Sequence, residues 1–216
     1  MLKRLAGFSI VELLVVIGII ALLISILMPT LSKARQQAKQ VQCASNLRQI
    51  GIILLNYAND NNGQLFPYDF GSNCLDHNPP DPWPVYAFKP PIWNPPIMIC
   101  PADPDPVAQH SYLLNAHLEG AQNNTNKDIH YSTHIHGYAA SQIILMGEKI
   151  SSSDDYYMDR GDFADGVVEP YRHGARLGSN YLFVDLHVGI LPYADAYIGI
   201  DPWDISTSTT QKTAGD

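Results

Sequence analysis

GFSIVELLVVIGIIALLISILMP, residues 7–29, decides how the rest of this chain is read. Residues 8–28 form a run of 21 with a single charge, Glu12. At ~1.5 Å per residue a helix of that length reaches about 30 Å, the hydrocarbon thickness of a bilayer. A buried core helix would show a polar face, and this run has none. A cleaved secretory signal would use the basic residues Lys3 and Arg4 and a small-residue site at Ser32-Lys33-Ala34. That site lies beyond Pro29 among basic residues, and a glutamate is foreign to such a segment. The stretch is therefore predicted to be a membrane-embedded helix. Pro29 is expected to kink it.

Outward from this run the charge divides unevenly. Residues 1–59 hold six of the thirteen Lys/Arg and one acid, a balance of +5, whereas residues 60–216 carry −13. An acidic body excludes a nucleic-acid partner, because phosphate binding needs a basic face. The basic stretch abuts the oily one, so lipid headgroups are its expected neighbours. Two Lys/Arg and the amino terminus precede the run and three Lys/Arg follow it closely, so charge alone does not orient it.

Past the bilayer the helix is predicted to continue. Leu47, Ile50, Gly51, Leu54, Tyr57 and Ala58 recur at helical spacing on one stripe, with Arg48, Gln49, Asn56 and Asn59 off it. The pattern stops at Asn59-Asp60-Asn61-Asn62-Gly63, a C-terminal signal. Residues 76–106 hold eleven of the sixteen prolines, a density no regular helix survives. Trp83, Tyr86, Phe88 and Trp93 make this a loop pinned by aromatics rather than a ligand for peptide-recognition modules. SYLLNAHL, HYSTHIH, QIILMGEK and NYLFVD…HVGIL read as short strands between Gly, Asn and Asp clusters. The expected fold class is α+β, a long N-terminal helix on a small antiparallel sheet. The polar tail 206–216 is expected to be disordered.

The residues that open the chain also closely resemble a known family. Lys3-Arg4, Gly7, the aromatic Phe8, Glu12 and unbroken apolar sequence to Pro29 are similar to the leader and first helix of type IV prepilins and type II secretion pseudopilins. The resemblance implies a pilin-like fold and a membrane-bound prepilin peptidase that cuts between Gly7 and Phe8 and methylates the new amine of Phe8. It implies single-pass insertion in a bacterial inner membrane, N-terminus cytoplasmic and C-terminal domain periplasmic or extracellular. It also implies assembly through Glu12 with other pilin or pseudopilin subunits. The segments are then a leader (1–7), a transmembrane and filament-core helix (8–29), its amphipathic continuation (30–62), a globular domain (63–205) and the tail (206–216). CASNLRQIGIILLNYANDNNGQLFPY (43–68), CPAD (100–103), SYLLN (111–115), GEK (147–149) and RHGARLGSNYLFVDLHV (172–188) resemble pseudopilin-like proteins named for a His-x9-Asp-Gly segment. Here eleven residues separate His173 from Asp185, and Leu186 stands where that family has glycine. Leucine tolerates positive φ poorly, so the turn is expected to be of another type or longer.

Other clusters have a chemistry to weigh. His130, His134 and His136 share one face of a strand and make a weak zinc candidate, set against a plain solvated strand. Asp159, Asp162 and Asp165-Gly166 supply oxygen ligands suited to calcium, but not at EF-hand spacing, so an acidic turn and no cofactor are expected. His173 is expected to be structural. Cys43, Cys74 and Cys100 allow three pairings with one thiol left over. The motifs CASNL and CPAD favour Cys43–Cys100. No nucleophile lies beside a base, and no phosphate-cradling loop occurs, so no enzyme is expected. Two functions remain: a subunit of a secretion pseudopilus or type IV pilus-like filament, or a membrane-anchored ligand-binding or metal-hydrolase domain that never polymerises. A simple anchor gains nothing from Glu12.

Overall fold

A computed structural model describes residues 9–61, 63, 83–88, 95–115, 134–135, 138–158, 162 and 166–191. The chain divides into two compact units, Met1–Ala38 and Lys39–Asp216. One helix, α1 (Ile10–Asp60), belongs to both.

In the first unit, α1 starts at a variant of the capping box in which Ser9 Oγ takes the second helical amide instead of the third. The Ser9 backbone N–H donates to Glu12 Oε2 at 2.9 Å, and the Val11 N–H to Ser9 Oγ at 3.3 Å. Two amides that the helix cannot satisfy are thereby paired, and the carboxylate lies at the positive end of the dipole. From there every side chain through residue 38 is exposed. The polar hydroxyls do not disturb this apolar surface, since Ser25 Oγ donates to Leu22 O and Thr30 Oγ1 to Leu27 O, each at 2.7 Å. The helix continues through Pro29. By length and composition α1 is able to cross a membrane.

In the second unit the same helix has an inside. Gln40, Cys43, Leu47, Ile50, Gly51, Leu54 and Ala58 are buried at spacings of three and four, while Arg48, Gln49, Asn56 and Asn59 face solvent. The stripe packs on a five-stranded sheet in the order β5-β1-β4-β6-β7: β1 (Tyr112–Asn115), β4 (Ile144–Glu148), β5 (Tyr157–Met158), β6 (Ser179–Phe183) and β7 (Val188–Leu191). Two short strands, β2 (His134–Ile135) and β3 (Tyr138–Ala139), pair separately. Strand alternation sorts side chains to two faces. Tyr112, Leu114, Leu145, Leu182 and Val184 join the helix, whereas Leu113, Ile144, Met158, Tyr181 and Phe183 form a second cluster. An irregularity between Ile144 and Met146 turns Met146 toward the helix side.

The sheet corrects the expectation of a purely antiparallel one. β1 pairs antiparallel with β4 but parallel with β5. After β4 the chain passes Lys149 and the Ser151–Ser153 turns instead of making a tight hairpin, and it reaches the far edge of β1 in the parallel sense. The expectation that no regular helix survives in the proline-rich stretch is also corrected: a five-residue helix, α2 (Trp83–Ala87), forms with Pro84 in its first turn, where the missing N–H costs nothing. Buried Trp83 donates Nε1–H to Tyr156 O at 3.2 Å.

The hairpin of β6 and β7 has the longer loop expected from the sequence, but Leu186 takes the positive φ it is expected to avoid. Leu186 N–H donates to Phe183 O, and Phe183 N–H to His187 O, both at 2.9 Å. The loop is thus three residues, 184–186, with Leu186 at φ 68°. That is the left-handed position a glycine usually takes in such loops. The cost for leucine, about 1–2 kcal/mol, is offset because its side chain packs on the core beside Gly51.

Candidate functional site

Two buried polar groupings lie where the sheet meets the helix and the loops. The first surrounds a disulfide. Cys43 on α1 and Cys100 within the proline-rich stretch are bonded across 57 residues, with an S–S distance of 2.02 Å. His110-Ser111, leading into β1, steadies this segment: Ser111 Oγ accepts from Cys100 N–H at 3.0 Å. Asn46 Nδ2 donates to Ile99 O at 3.2 Å. Against the disulfide sit Glu148, the last residue of β4, and His173, ahead of β6. His173 Nε2 lies 3.0 Å from Glu148 Oε1, and both side chains are fully buried. Asn180 completes the group. Its backbone N–H donates to Glu148 Oε2 at 2.9 Å, while Nδ2 reaches Glu148 Oε1 and Gln40 O, each at 3.3 Å. Buried polar groups of this kind persist only when paired in this manner.

The second grouping begins one residue on. Lys149 is fully buried, and its Nζ donates to Val107 O at 2.9 Å and to Ser153 O, with His110 Nε2 at 3.4 Å. Burial, partly opposed by the charge of Asp103, lowers the lysine to about 8. Burial and then the neighbouring Lys149 push His110 down to about 3. Its ring stacks on Tyr156 at 4.0 Å. Beside them Arg172 Nη1 lies 3.3 Å from Asp103 Oδ1 and donates to Ser151 Oγ at 3.0 Å. Ser151 Oγ in turn donates to Asp103 Oδ1 at 2.5 Å. Both groupings tie the loops to the sheet; the disulfide, Glu148, His173 and Asn180 of the first are buried, while Arg172, Ser151 and Ser153 of the second are partly buried.

The sequence-level candidates fall as follows. Gly7, Phe8, Cys74, His130, His136, Asp159 and Asp165 lie outside the described residues. His134 lies in β2. Asp162 is buried and its carbonyl accepts from Val167 N–H at 2.8 Å. Asp185 sits at the β6–β7 turn, where its Oδ1 accepts from His187 N–H at 3.1 Å. His187 stacks on Phe183 at 4.1 Å. His173 and Asp185 are not brought together as a pair: one is buried with Glu148, the other exposed with His187. Sequence reasoning missed Glu148, Lys149, Asp103, Arg172, Asn180 and His110. Their signal was a charged pair, Glu148-Lys149, directly after the apolar strand ILMG. The other signal, Ser9-x-x-Glu12, is a capping-box spacing hidden in the oily run. No family model, curated protein or solved structure matches the chain.

Proposed function

We propose that the chain is a pilin-like structural subunit, cut and methylated between Gly7 and Phe8 by a prepilin peptidase and assembled into a pseudopilus or type IV pilus-like filament. The observation that carries this reading is the first part of α1: residues 10–29 are apolar apart from Glu12, Ser25 and the glycine at 18, and every residue from 10 to 38 is exposed. That surface needs a bilayer before assembly and other helices after it. The acidic body, with its own closed core, then decorates the outside. Head-to-tail contacts that do not close into a ring make an open filament.

Glu12 has two roles to separate. Within one chain it caps α1 through the Ser9 amide. In a filament its charge meets the Phe8 amine of a neighbour and fixes axial register, because a mismatched register leaves two bare charges in a low-dielectric core. Glu12→Gln distinguishes these roles, since glutamine serves a capping box as well but carries no charge. Registry requires that Glu12→Gln and Glu12→Val both insert and are cleaved, yet fail to enter filaments in immunogold or shearing assays. Filaments rich in Glu12→Gln but lacking Glu12→Val would reduce Glu12 to a cap. Filaments rich in both would contradict the assembly role.

A further inference from the structure

A buried disulfide usually sits among apolar side chains. This one has a carboxylate and an imidazole against its sulfurs. One ligand atom from each of Cys43, Cys100, Glu148 and His173 lies within 4.8 Å of all the others, and all four residues are buried. Two sulfurs, one imidazole nitrogen and one carboxylate oxygen are a ligand set for tetrahedral zinc. The four come from α1, the loop before β1, the end of β4 and the segment before β6, so the body's fold itself converges them.

We propose that this cluster is a redox-exchanged metal site, closed by the disulfide when oxidised and by one zinc ion when reduced. The two states exclude each other. Zinc takes cysteine as the thiolate, and a sulfur shared in the Cys43–Cys100 bond is not one. An external dithiol supplies the two electrons and two protons: it becomes a disulfide as the Cys43–Cys100 bond opens to two thiols. Zinc then displaces those two protons. Glu148 Oε1 and His173 Nε2 face each other at 3.0 Å; with the ring proton held on Nδ1, any proton between them leaves with the thiol protons and both atoms turn a lone pair to the ion. The carboxylate is already oriented by the Asn180 N–H on Oε2. Metal ligands commonly have such outer partners. The inference concerns the body alone and stands apart from filament assembly.

The test uses the full chain in detergent with Cys74→Ser, which leaves two cysteines. Oxidised and dithiol-reduced protein, the latter held without oxygen after opening in mild denaturant, are dialysed with Co2+ and then with Zn2+. The reduced chain should bind one Co2+ with a thiolate charge-transfer band and intense tetrahedral visible bands, both lost as Zn2+ replaces it. The oxidised chain should bind none. If the reduced chain is unfolded without metal, Zn2+ should restore its circular dichroism. Glu148→Gln should weaken binding by more than ~10-fold and Asn180→Ala by ~10-fold. No thiolate–cobalt band in the reduced chain, folded or not, overturns the site. So does an oxidised chain that binds equally well, or a Glu148→Gln affinity equal to the parent's, which would mean two thiols holding metal without the fold.

Discussion

Residues 10–38 and residues 40–58 of α1 share one helix geometry and differ in what surrounds them. The first half presents Leu, Ile and Val on every side up to Leu31 and a short polar, basic turn after it, all exposed. The second half interleaves Arg48, Gln49, Asn56 and Asn59 with a buried stripe, and a sheet closes over it. The glycines make the contrast concrete. A Cβ on Gly18 would meet nothing within 4 Å, whereas one on Gly51 would lie 2.8 Å from both Leu182 Cδ2 and Leu186 Cδ2. A helix that finds its partners inside its own chain has small residues where the neighbour approaches. A helix that finds them elsewhere shows no such mark in the isolated subunit.

The largest effects should separate the halves cleanly. Arg172→Ala leaves Asp103 buried without its cation, and should destabilise the body by about 3–5 kcal/mol. Chemical denaturation followed by tryptophan fluorescence checks this. Ile24→Ala, on the exposed half, should leave the same transition unmoved while altering insertion or assembly. Opening the disulfide releases a loop spanning 57 residues, which chain entropy values at about 4 kcal/mol. A metal-free reduced chain whose midpoint matches the oxidised one would contradict this.

Titration of His110 sharpens the comparison, because it acts only on the body. Its folded value is lowered from 6.5 to about 3, so between those limits the unfolded chain binds a proton that the folded chain refuses. Stability is therefore fully present above pH 6.5 and falls as pH drops toward 3, by about 1.4 kcal/mol per unit from this group. His110→Gln should flatten that slope in denaturant titrations at successive pH values. Lys149, lowered from 10.5 to about 8, has the same sign higher up: the folded state gains as pH rises from 8 to 10.5.

The smallest effect is expected at Gly51. Alanine there must displace two leucine methyls, an overpacking cost of about 1–3 kcal/mol, but regains ~1 kcal/mol of helix propensity. Gly51→Ala should lower the body's denaturation midpoint slightly, and Gly18→Ala should not lower it at all.

Much of the architecture was legible because it rests on periodicity. The apolar run, the stripe from Leu47 to Ala58, the stop near Asn61 and the strands at 112–115, 144–148, 179–183 and 188–191 all declare themselves by spacing. What escaped depends on contacts distant in sequence. β5 is two residues long and owes its place to an edge left open by β1, which no local pattern encodes. Leu186 was misjudged because the price of its φ is offset by packing beside Gly51, 135 residues upstream. Glu148 and Lys149 looked like a strand's polar end, yet each is fully buried because partners arrive from Val107 and His110, from Ser153, and from His173 and Asn180. In the notable case of Glu12, the local cap was written in the sequence as Ser9-x-x-Glu12 and was obscured by the hydrophobicity around it.

The claim that residues 10–38 serve a filament rather than a plain anchor is tested most directly at the amino terminus. Intact-mass and N-terminal fragment spectra of the chain extracted from membranes of cells carrying a prepilin peptidase should show a chain beginning at Phe8 and one methyl group heavier than that sequence. Cells lacking the peptidase should yield the chain from Met1. A chain beginning at Arg35, or one still carrying its leader when the peptidase is present, would contradict the account.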